Sequence, residues 1–88
     1  MELKDTIEMM QSDDYKERFK AEYHQTKIRY EKLKAFCNKI EASTLVHPSV
    51  ANEPEHDCPL FLLRDQQKSM GEYLHVLELR AIIENIEL

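Results

Sequence analysis

At 88 residues the chain has room for one domain at most, and a core of that size removes only about 60–65% of the unfolded surface, so a metal, a disulfide or a partner subunit is expected to help. Hydrophobic residues make up 42% and charged residues 33%, with one Gly, three Pro and no Trp, a composition that favours helices over a turn-rich β-barrel. The net charge of −5 argues against affinity for duplex nucleic acid or an anionic membrane, which call for a basic face, and no apolar run approaches the ~20 residues of a membrane span.

The first residues carry neither the basic n-region nor the apolar h-region of a secretory signal, so the expected compartment is the cytoplasm. There Cys37 and Cys58 stay reduced. Leu3, Ile7 and Met10 share one stripe at α-helical spacing, which predicts a short helix over 2–10. A helix this short is unstable alone and must dock on something.

Ser12, Asp13 and Asp14 form a helix-start signal, a side-chain cap followed by carboxylates at the positive end of the helix dipole. A long helix is predicted over 13–42, with a seam of Phe19, Tyr23, Thr26, Tyr30, Leu33, Cys37 and Ile40. Thirty helical residues span ~45 Å, so this helix needs an equally long neighbour. Residues 43–58, with Pro48 and Pro54 and no clear period, read as an irregular connection.

The neighbour is predicted over 59–87. Pro59 suits its first turn, with Asp57 or Cys58 as the cap, and its seam is Leu63, Met70, Leu74, Leu77 and Ala81, interrupted by Gln67. A second apolar stripe, Leu79, Ile82, Ile83 and Ile86 with Val76 at its flank, lies on the far side. One helix partner cannot cover both faces, so this stripe is the expected oligomer interface, to be met by the short helix, another subunit or both. Gly71 stands inside the helix at a cost of about 1 kcal/mol relative to alanine. It marks either a close approach of a helix or ligand, or a neutral accident.

Residues 13–40 carry eight basic and five acidic groups, and residues 41–88 three and nine. A basic long helix thus faces an acidic one, which supports antiparallel pairing. The expected architecture is a single all-α domain over 1–88, an antiparallel hairpin of two long helices plus a short N-terminal helix, completed by homo-oligomerisation. In such a hairpin, residues whose numbers sum to about 102 lie level, given equal rise on both helices. Arg64 then falls near Asn38 and Lys68 near Lys34, with Lys39 close by. This loop end gathers positive charge, with Phe36, Phe61 and His56 as nearby stacking surfaces, and could cradle a phosphate. The plainer reading, and the favoured one at this point, is that the same side chains are solvated and paired with Asp65 and Asp57.

Catalytic signatures are absent from the sequence: it has no Gly-rich phosphate loop, GxSxG, CxxC or HExxH, so no enzyme activity and no cofactor are expected. His47, His56 and Cys58 match no zinc spacing, and His24 and His75 have no ligand mate at i+4, so no metal is expected.

Two stretches resemble short phage and prophage proteins of Gram-positive bacteria: Asp14 to Tyr23, reading DYKERFKAEY, and the series Cys58, Pro59, Leu60, Leu63, Gln67, Met70, Gly71, Glu72, Tyr73, Leu74, Leu77, Arg80 and Ala81. The second series is also similar to the helical hairpin of anti-defence sponge proteins that sequester nucleotide messengers of the CBASS and Thoeris systems. The resemblance covers residues 14–83. It implies an oligomer of hairpins that binds a cyclic oligonucleotide or a cyclic ADP-ribose-type signal at subunit junctions without cleaving it. Aromatic and cationic contacts would then come from the Tyr15, Arg64 and Lys68 regions, giving Tyr15, Lys34, Lys39, Arg64 and Lys68 as the expected ligand-binding set. The alternative is a small phage protein that inhibits a host defence or regulatory protein through the outer stripe.

Overall fold

A computed structural model describes residues 1–46 and 53–88; His47 and Pro48 of the predicted connection lie outside the described residues. Every regular element among the described residues is helical. A 3-10 turn, Leu3–Thr6, runs into one α-turn, Ile7–Met10 (α1), followed by α2 at Tyr15–Val46 and α3 at Leu60–Glu84.

The N-terminal arm docks through a different face from the one an α-helical period predicts. Thr6 is fully buried and Leu3 and Met9 are half-buried, whereas Ile7 and Met10 are 47% and 44% exposed. The 3-10 start is the reason: at three residues per turn, Leu3, Thr6 and Met9 align. The start itself is held by a reciprocal cap in which the Glu2 amide donates to Asp5 Oδ2 at 2.8 Å.

At the start of α2, Asp14 is the residue that caps. Its Oδ1 accepts from the Lys16 amide at 3.0 Å, while Ser12 Oγ accepts from the Asp14 amide one step earlier at 3.1 Å. The helix continues past Ala42 to Val46, with Ser43 and Thr44 hydroxyls donating to the Ile40 and Glu41 carbonyls at 2.7 Å each. Pro59 is the N-cap of α3, with extended backbone, and its carbonyl accepts from the Leu62 and Leu63 amides at 3.1 and 3.2 Å. The helix stops at Glu84, short of the expected 87, because Asn85 takes the left-handed conformation at φ 57° and the Ile86 amide donates to the Ala81 carbonyl at 2.8 Å.

Contacts between α2 and α3 run in reverse chain order: Tyr15 with Glu84, Tyr23 with Glu78, Tyr30 beside Gly71, and Asn38 with Arg64. The two helices therefore pack with opposed directions. Between them Phe19, Tyr23, Leu74, Leu77, Ala81 and Ile86 form one buried cluster, against which Tyr30 packs. Cys37 and Ile40 are buried further along α2, and both thiols are free. The phenols of Tyr15 and Tyr23 donate across the pair to Glu84 and Glu78 at 3.1 and 2.6 Å, and Tyr73 donates to Glu22.

The arm lies on the back of α2. Ala21, which is fully buried, and Gln25, whose amide donates to Thr6 Oγ1 at 3.0 Å and to Met10 Sδ at 2.7 Å, occupy the side of the helix opposite Phe19 and Tyr23. The outer face of α3 is left without this cover.

Candidate functional site: a groove beside Gly71

At Gly71 the Tyr30 side chain of α2 lies close against α3. A Cβ at this position would meet Tyr30 Cε1 at 3.2 Å and Tyr30 Oη at 3.5 Å, so the glycine lets the tyrosine ring lie against the backbone of α3. Beside this contact opens a groove of about 700 Å³ lined by Tyr30, Arg64, Gln67, Lys68, Gly71, Glu72, His75 and Val76. Apart from Tyr30, every lining residue belongs to α3 and recurs at the helical spacing of one side.

Arg64 enters the groove already oriented. Its guanidinium donates to Gln67 Oε1 at 2.7 Å and to Asn38 Oδ1 at 3.1 Å, and it approaches Glu41 Oε2 at 3.4 Å. Planar donors held in this way suit a phosphate, because little side-chain freedom is left to lose on binding. Lys68, one turn on, makes no ion pair among the described residues. Cations, a phenol ring, an imidazole and a carboxylate thus face a single concavity, a mixed lining of the kind that orients a small polar ligand.

The expected ligand residues are divided between the two ends of the molecule. Arg64 and Lys68 line the groove. Lys34 and Lys39 are exposed on α2 near the loop end and do not line it. Tyr15 lies at the opposite end, donating to Glu84, and this bond is the main cause that raises its pKa. One ligand of nucleotide size cannot reach both Tyr15 and Arg64 within one protomer, since 20 helical residues of α3 separate Glu84 from Arg64, about 30 Å. Tyr30, assigned by its spacing to the core seam, is the aromatic that the groove has. The signal for it was Gly71, which the level rule sets opposite residue 31.

At the loop end, His56 Nδ1 lies 2.6 Å from the Cys58 carbonyl and Nε2 lies 2.9 Å from Glu53 Oε1. Both ring nitrogens face acceptors, so the protonated imidazolium satisfies both, and the Glu53 hydrogen bond foremost raises the His56 pKa. His56 also meets Phe36 edge-on at 6.4 Å between ring centroids. Among the described residues no group of three His, Cys, Asp or Glu side chains is placed to hold a metal ion. No helix of the described residues is long and apolar enough to cross a membrane.

Of the expected interface residues, Leu79, Ile82 and Ile83 are 48%, 75% and 79% exposed on the outside of α3. Ile86 is placed differently, at 7% exposed in the buried cluster between α2 and α3. Had the helix continued, Ile86 would follow Ile82 and Ile83 outward; the left-handed Asn85 turns it in.

Among the described residues the regular elements are helical, and a groove between the long helices is lined by cations and an aromatic ring. Residues 13–83 match the model of the Sequestin family, and the chain belongs to that family. No curated protein matches it, and no solved structure does. The family's name denotes sequestration, the holding of a ligand.

Proposed function

We propose that this protein is a phage-encoded sponge that binds and sequesters a host immune nucleotide second messenger, of cyclic oligonucleotide or cyclic ADP-ribose type, without cleaving it. The groove carries this reading: Arg64 and Lys68 offer donors to phosphate and Tyr30 offers a ring to a base, all in one concavity of about 700 Å³. Membership of a family named for sequestration supports it. The proposed place of action is the host cytoplasm.

The proposed assembly is a homo-oligomer of helical hairpins joined through the outer face of α3. Leu79, Ile82 and Ile83 stand exposed there, and the N-terminal arm, which could have covered them, is spent on α2. Val76 belongs both to this exposed face and to the groove lining. A second copy seated on the stripe would therefore border the groove and narrow its open side.

Calorimetry on the purified protein with cyclic di- and trinucleotides and cyclic ADP-ribose isomers tests the reading. Binding well below the millimolar range is expected, and its absence across the panel would sink the proposal. The 75% and 79% exposure of Ile82 and Ile83 also favours a second reading, inhibition of a host defence or regulatory protein docked on this face. Mass by light scattering separates the two: a trimer or higher assembly supports the sponge, a stable monomer the inhibitor.

A further inference from the structure

We infer that the groove is polarised, its Arg64 and Lys68 end taking a phosphate and its Tyr30 and Gly71 end taking the base of the same nucleotide. This rests on the nucleotide reading above and states where that ligand sits and which way round. Gly71 is the only glycine of the chain and stands mid-helix, where another residue would hold the helix better. Its missing side chain brings the Tyr30 ring against α3, with no space for a Cβ short of 3.2 Å from the ring. The ring thereby becomes a wall of the groove.

Lys68 and Arg64 follow on the same side, three and seven residues toward the start of α3, hence about 4.5 and about 10 Å along the axis from Gly71. A nucleotide spans such a stretch, with its phosphate and base on opposite sides of one sugar. Arg64 is oriented by Asn38, Gln67 and Glu41, and Lys68 has no protein counter-ion among the described residues. Lys68 is thus suited to an incoming anion, and Arg64, whose charge is shared with Glu41, adds the N–H donors it has left. At the other end Val76 adds apolar surface, while Glu72 and His75 line the groove with hydrogen-bonding atoms that the edge of a base can use.

The test uses the whole protein with cyclic di-AMP, cyclic tri-AMP and cyclic ADP-ribose as probes, reading Kd by calorimetry and Tm by scanning fluorimetry. For whichever probe the unmodified protein binds, Tyr30→Leu is expected to raise Kd about tenfold while Tyr30→Phe, which keeps the ring, changes it little. Lys68→Ala is expected to raise Kd and to flatten its dependence on salt. Gly71→Ala, whose methyl would stand 3.2 Å from Tyr30 Cε1, is expected to weaken binding by pushing the ring off α3, with the gain in helix propensity offsetting the crowding so that Tm stays near that of the unmodified protein. If Gly71→Ala instead lowers Tm, the exposed Lys68→Ala and the Tyr30 pair decide the matter alone. Failure of the unmodified protein to bind any probe overturns the nucleotide reading itself. Unchanged affinity in Tyr30→Leu, Lys68→Ala and Gly71→Ala, with the unmodified protein binding, leaves that reading standing and overturns the polarised groove.

Discussion

His24 sits half-buried on α2 among cations, and its pKa is held below the ordinary 6.5 by burial first, then by Lys27, the N-terminal amine and Lys20. The unfolded chain takes up the proton more readily, so the stability that neutral His24 contributes is full above about pH 6.5 and is lost as pH falls through the lowered folded value. His56 acts in the opposite sense. Its raised pKa contributes stability that is full below its unfolded value and is lost as pH rises through the folded one. Tm measured between pH 5 and pH 8 should therefore fall at the acid end less steeply in His24→Gln than in the unmodified protein; equal slopes would show that His24 does not report on folding. Tyr23 offers a second residue-scale test. Burial foremost, then the hydrogen bond to Glu78, pushes its phenol up to about 12. Tyr23→Phe removes that 2.6 Å bond and should cost about 1 kcal/mol by urea denaturation. The same raised pKa makes the protein lose stability as pH climbs from about 10 toward 12, because the unfolded phenol ionises first.

At the scale of elements, the end of α3 is set by one residue. Asn85 at φ 57° tolerates the left-handed conformation, glycine adopts it without strain, and a Cβ-bearing residue lacking a local hydrogen-bonding side chain pays for it. Asn85→Ala should lower stability by about 1 kcal/mol, whereas Asn85→Gly should leave it within a few tenths; chemical denaturation of the pair checks this. The turn also delivers Ile86 into the cluster of Phe19, Leu77 and Ala81, so Ile86→Ala should cost about 2 kcal/mol. The outward Ile82→Ala should cost the protomer little, and comparing the two measures how far the turn at Asn85 decides which face an isoleucine joins. The arm gives the complementary case. Its 3-10 start selects Thr6 as the buried residue, and Gln25 holds that hydroxyl at 3.0 Å.

For the whole molecule, the principal dimensions of 50 × 25 × 18 Å describe a rod in which α2 lies between the arm and α3, and the α3 exterior carries Val76, Leu79, Ile82 and Ile83 uncovered. A charge in the middle of that stripe is a clean probe, because Ile83 is 79% exposed and contributes little to the protomer's own core. Ile83→Asp is expected to abolish self-association by light scattering while helicity by circular dichroism is largely kept. An unchanged assembly would place the interface elsewhere.

Much of the helical content is legible in periodicity. The seam residues Phe19, Tyr23, Cys37, Ile40, Leu74, Leu77 and Ala81 are buried, because a 3–4 spacing puts side chains on one face of any α-helix whatever it packs against. The level of Arg64 was also legible: equal rise along two helices brings it to Asn38. Local pattern could not reveal which face the arm would choose, that Asn85 would turn Ile86 inward, or that Tyr30 and not Tyr15 would stand beside Arg64 and Lys68. Each of these depends on the three-dimensional route of the chain, where a single 3-10 turn or one left-handed residue redirects every side chain after it. Helix, seam and charge were thus determined by the order of residues alone. The groove was decided only when a glycine on one helix and a tyrosine on the other came within van der Waals reach, a contact between residues 41 positions apart.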